Sequence, residues 1–115
     1  MNWNKHAHAL PKTRLLFSAL VIAIGYTSPN AWAGDIEAGK AKAAMCASCH
    51  GANGISPMDL WPNLAGQKAG YLAKQMRAFR DGTRSDAAMT SMAQTLTDAD
   101  IDNLSSYYNS LPGGG

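Results

Sequence analysis

Apolar residues recur with a helical period in three segments of the chain, and no stretch alternates convincingly as a strand would. Over residues 36–47, Ile36, Gly39 and Ala43 share a face, and Asp35 stands where a helix needs its N-cap. A glycine inside a helix costs up to about 1 kcal/mol, so Gly39 predicts that another backbone or an aromatic ring crosses there. Over residues 68–81, Leu72, Met76 and Phe79 form one stripe, and Gly82 follows as the stop. Over residues 98–110, Ile101, Leu104, Tyr108 and Leu111 mark a buried face. Thr97 with Asp100 makes an acidic capping box at its start, and Pro112 ends it. Two stretches between these helices are predicted to be irregular. Residues 51–66 are rich in Gly, Pro and Asn, and residues 83–96 are polar and hold Met89 and Met92. The pattern predicts an all-α fold of three main helices with long loops around something.

The first 33 residues have a different character. Lys5, Lys12 and Arg14 are the only charged residues before position 35, and an apolar run over 15–24 follows them. Gly25, Pro29 and the small-residue motif Ala31-Trp32-Ala33 come next. This is the layout of a secretory leader, with cleavage expected after Ala33 and a domain over 34–115. The apolar run of about ten residues is too short to span a bilayer, which takes roughly 20. No stable membrane span is therefore expected after cleavage.

Removing the leader changes the arithmetic. The whole chain has 115 residues and a formal net charge of +2, with 46% hydrophobic and 16% charged residues. Residues 34–115 keep seven Lys and Arg against eight Asp and Glu, a net charge of −1. Neither value suggests a nucleic-acid binder. His6 and His8 leave with the leader, so His50 is the one histidine of the mature chain. A domain of this size gains only a few kcal/mol from an apolar core alone and usually needs a disulfide, a metal or a large cofactor.

The chemistry is concentrated in Cys46-Ala47-Ser48-Cys49-His50, a Cys-x-x-Cys-His motif. This spacing is that of c-type haem attachment. Two thiols one helical turn apart can reach the two vinyl groups on one edge of a porphyrin, and the next residue brings an imidazole under the iron. A zinc site would need four ligands, and no further mature Cys or His exists to complete one. A thiol–disulfide site would normally sit in a βαβ context, which the pattern lacks.

With these residues, the chain resembles a class I c-type cytochrome of the small bacterial monohaem kind, also seen as the repeated half of dihaem cytochromes. The likeness continues through Trp61-Pro62-Asn63-Leu64-Ala65-Gly66-Gln67, Tyr71-Leu72, the Met89 loop and the Leu96-Thr97-Asp98 lead-in to the last helix. It implies one covalent haem c, bound through Cys46 and Cys49, with His50 as the proximal iron ligand. It also implies that Pro62 accepts a hydrogen bond from His50, that Gly39 meets Tyr108 where the first and last helices cross, and that a methionine supplies the sixth ligand. Met45 adjoins the motif, Met58 lies soon after it, and Met76 fits a helix stripe, which leaves Met89 and Met92. The resemblance favours Met89, eight residues before the Thr97 cap, with Met92 as second choice. Trp61, Gln67, Tyr71 and Arg84 are candidates to pair with the haem propionates, although each residue type is as much at home on a core edge or surface.

The resemblance thus implies a periplasmic electron carrier rather than an enzyme. Its expected partners are redox proteins: a dehydrogenase, a cytochrome complex or a terminal oxidase. One alternative is a haem subunit held permanently in a dehydrogenase complex. Another is an open-site haem enzyme or sensor, against which the lack of a second mature histidine counts.

Overall fold

The computed structural model describes residues 33–114. The leader expected over residues 1–33 lies outside the described residues, apart from Ala33. All regular structure among the described residues is helical, in the order α1 (Ile36–Lys42), a 3₁₀ turn (Ala43–Met45), α2 (Ala47–His50), α3 (Ala69–Arg80), α4 (Ala87–Ala93) and α5 (Asp98–Ser110). None of these helices is long and apolar enough to cross a membrane.

Helix α5 is the centre of the fold. Its capping box is closed in both directions: Thr97 N–H donates to Asp100 Oδ2 at 2.9 Å, and Asp100 N–H donates to Thr97 Oγ1 at 3.1 Å. Ile101 and Leu104 are fully buried, in one cluster with Ala43, Leu72, Leu96 and Tyr107. Helix α3 is fastened across α5 by charge as well as by packing. Arg77 reaches Asp102 at 2.8 Å, and Arg80 reaches Asp98 at 2.9 Å.

Helix α1 begins at Asp35, whose side chain accepts from Ala38 N–H at 3.0 Å. Two further bonds tie this end to α5, from Asp35 N–H to Asn103 Oδ1 at 2.7 Å and from Gly34 N–H to Ser106 Oγ at 2.9 Å. Gly39 does mark the helix crossing, but its neighbours are Asn103 and Tyr107 rather than Tyr108. A Cβ there would collide with the Asn103 carbonyl and come within 2.8 Å of Tyr107 Cβ. Successive residues of a helix point about 100° apart, so Tyr107 faces α1 while Tyr108 turns toward the loop at Gly54.

Two further expectations need correction. The helix expected over 36–47 does not run through: after Lys42 it tightens into the 3₁₀ turn, closed by Cys46 N–H to the Ala43 carbonyl at 2.9 Å. A 3₁₀ turn advances each side chain further around the axis. Ala43 therefore stays in the core while Met45 and Cys46 turn to a cavity beyond it. The stretch 83–96, expected to be irregular, contains α4. Asp86 caps this helix by accepting from Met89 N–H at 2.8 Å. Its sequence, Ala-Ala-Met-Thr-Ser-Met-Ala, has no long apolar stripe, and α4 packs on α3. The stretch 51–66 is irregular as expected, with Gly51, Gly54 and Gly66 all at positive φ.

Candidate functional site

Helix α2 is a single turn, and it carries Cys49 and His50 with Cys46 as its N-cap. His50 N–H donates to the Cys46 carbonyl at 3.0 Å, and Gly51 N–H donates to the Ala47 carbonyl at 2.9 Å. Residues three apart on a helical turn face the same way, so the two thiols stand one above the other. Gly51 ends the turn at φ +83°, where a Cβ would collide with the Ile55 carbonyl. The chain thereby folds back beneath His50 at once.

His50 is 6% exposed. Its Nδ1 lies 2.9 Å from the Pro62 carbonyl. A carbonyl can only accept, so Nδ1 carries a proton, and in the neutral ring the lone pair lies on Nε2. The imidazole is thus held in the one tautomer that can bind a metal through Nε2. Pro62 has no N–H of its own to compete at that point of the loop.

Cys46, Cys49 and His50 form one side of a cavity of about 630 Å³, within the roughly 300–1,000 Å³ of ligand pockets. Met76 from α3 and Met89 and Met92 from α4 also line it. Met89 and Met92 stand three residues apart on one helix, so both thioethers face the same space. Met58 is half exposed and does not line the cavity, whereas Met45 does. Trp61 and Arg84 also reach it. The Arg84 guanidinium lies 4.4 Å from the centre of the Phe79 ring and donates to Gln75 Oε1 at 2.6 Å. Gln67 and Tyr71 are not brought there. Gln67 Oε1 accepts from Lys68 N–H at 2.8 Å at the start of α3, and Tyr71 is half exposed.

One wall of the cavity was not singled out from the sequence. Tyr108, which looks like plain core on its helical stripe, lines the cavity and packs by Cys46. Burial raises its phenol well above the ordinary value, and Cys46 adds to the effect. Burial also pushes the Cys46 thiol up, against a lowering hydrogen bond from Tyr108 and with a smaller rise from Cys49.

The donor set fits a haem. Two thiols line a mostly apolar cavity together with a buried imidazole whose Nδ1 is held by the Pro62 carbonyl. Soft thioether sulfurs line the same space. Among the described residues no group of three or more His, Cys, Asp or Glu gathers to hold a bare metal ion.

The family model described as Cytochrome c matches residues 36–112. The chain belongs to the cytochrome c family. It carries one covalently bound haem c and has the class I cytochrome c fold. Among relatives, it is 43% identical over 95 residues to cytochrome c4 of Pseudomonas aeruginosa, covering 83% of this chain and 47% of that one. It is 46% identical over 81 residues to cytochrome c-554(548) of Halomonas halodenitrificans, covering 68% of this chain and 98% of that one. A protein of Thiomonas intermedia named as a thiosulfate dehydrogenase electron acceptor is 40% identical over 103 residues, covering 89% of this chain and 46% of that one. The crystal structure of reduced recombinant cytochrome c4 from Pseudomonas stutzeri superposes with a TM-score of 0.68 at 38% identity, covering 71% of this chain and 48% of that one. The chain thus spans about half the length of the cytochrome c4 relatives it matches.

Proposed function

We propose that this chain is a periplasmic monohaem electron carrier in which Cys46 and Cys49 hold the haem, and His50 and Met89 bind its iron. The observation that carries the reading is the meeting of both thiols, the oriented imidazole and the α4 thioethers in one cavity. Each thiol adds across one vinyl group: the S–H bond opens, a C–S bond forms, the proton goes to the neighbouring carbon, and no group leaves. When bound, the haem iron takes up and releases a single electron. Pro62 orients the His50 ring, α4 brings Met89 into the same cavity, and the mostly apolar walls would surround the haem. His50 and Met89 would together hold the iron and leave no place on it for a substrate, which is the reading of a carrier rather than an enzyme.

Its partners are other redox proteins, consistent with the similarity to a protein named as an electron acceptor of a dehydrogenase. The same likeness favours a second reading, in which the chain is the haem subunit of a dehydrogenase complex. Gel filtration of a native extract separates the two, because a free carrier elutes at the size of the single domain. The primary reading is tested by weighing the secreted protein and recording its spectrum. The expected result is a mass greater than the bare chain by one haem, with a far-red methionine–iron band in the oxidised form. A bare-chain mass, or colour that acid-acetone removes, would refute it.

A further inference from the structure

Asn63 has no task in the reading above, yet it directly follows the carbonyl that holds His50. The Pro62 carbonyl lies in a rigid peptide plane that ends at the Asn63 nitrogen. Whatever anchors Asn63 therefore sets the tilt of that carbonyl. Its side-chain Oδ1 accepts from Ser56 N–H at 2.7 Å, across the neck of the 51–66 loop. Ser56 is tied in turn to the attachment turn, because its hydroxyl lies 3.2 Å from the Cys49 carbonyl. The same hydroxyl lies 2.8 Å from the Met58 carbonyl, and its one proton serves either acceptor. Just beyond Asn63, the N–H groups of Leu64 and Ala65 both donate to the Gly54 carbonyl, at 2.8 and 3.0 Å.

We propose that Asn63 is a positioning residue that aims the Pro62 carbonyl at His50 Nδ1 and thereby tunes the reduction potential. The inference rests on the reading of His50 as an iron ligand. A hydrogen bond from the outer nitrogen raises the basicity of a ligating imidazole, which favours the more positive, oxidised iron. Releasing the anchor weakens that bond, and the potential rises.

The test uses the mature haem protein. Asn63→Ala is expected to raise the equilibrium constant for reduction about three- to tenfold, where tenfold is 59 mV for one electron. Exchange of the His50 Nδ1 proton, followed by NMR in the reduced protein, is expected to speed up at least tenfold. Asn63→Asp keeps the Oδ1 acceptor and is expected to restore slow exchange. Asn109→Ala removes a similar exposed bond, from Asn109 Nδ2 to the Gln67 carbonyl at 2.9 Å, and is expected to change neither reading. The inference is overturned if Asn63→Ala leaves both readings within twofold of wild type, or if Asn109→Ala shifts them equally. Should Asn63→Ala fail to mature, fast exchange in Asn63→Asp overturns it and slow exchange supports it. Failure of the underlying reading shows in the wild type itself, whose His50 ring protons would then lack the shifts of a haem ligand.

Discussion

Gly39 of α1 lies so close to the Asn103 carbonyl of α5 that no side-chain carbon fits between them. Its cost to the helix is thus repaid by the approach of two backbones. Gly39→Ala should force α1 off α5 and destabilise the haem protein by about 1–3 kcal/mol, as overpacking does. Urea unfolding of the oxidised protein measures this, and an unchanged midpoint would contradict the crossing.

Met89 and Met92 share one cavity-facing side of α4, and they differ in what their loss should do. Met89→Ala should abolish the far-red band and lower the potential, on the order of 100 mV, because methionine ligation raises it. Met92→Ala should keep the band. The reverse outcome would assign the iron to Met92.

The haem-free chain should be largely unfolded. Without the macrocycle this short domain loses the apolar burial, at about 25 cal/mol per Å², that its own side chains cannot replace. A Cys46→Ser/Cys49→Ser variant freed of pigment should show little helix by circular dichroism. Native-like helix content would contradict this.

Acid should weaken the grip of α5 on its neighbours. A hydrogen bond from Arg80 holds the Asp98 carboxyl below its ordinary range, and the Thr97 cap does the same for Asp100. A lowered pKa means that the stabilisation is complete above the unfolded value, near 3.9, and is lost as pH falls through the folded one. The urea midpoint difference between wild type and Asp98→Asn should therefore be steady from pH 7 to about 5 and shrink below about 4. A difference that persists at pH 2 would contradict the pairing.

Opening the capping box has a separate signature. Thr97→Ala should cost about 1 kcal/mol and relax Asp100 only in part, because the Thr97 backbone N–H that contributes most to its lowered pKa remains; NMR of the Asp100 side chain would show this.

Much of this architecture is legible in the amino-acid sequence. Helices α3 and α5 announce themselves because a 3.6-residue stripe and a cap agree, and the observed spans differ from the expected ones by a residue at most. Cys46, Cys49 and His50 are legible because their spacing has one economical use. Helix α4 is not, since seven residues that bury little beyond Ala93 leave no periodic trace. Asp86, an N-cap residue type just before two alanines, was the available signal. Tyr108 misled because a helical stripe shows which residues are buried, not whether the neighbour is a helix or a cofactor cavity. Gln67 and Tyr71 fall away from the cavity for a similar reason: nothing in a loop sequence states which way the next helix will turn its first residues.

Tyr107 and Tyr108 serve different boundaries although they are adjacent, the first meeting α1 and the second the cavity. Inserting or deleting one residue between the Thr97 cap and Asn103 would rotate everything downstream by about 100°. The two aromatic rings would then exchange roles or lose them. The final helix should therefore accept many conservative replacements but no change of length, and a library of single-residue indels in this segment should yield no coloured protein.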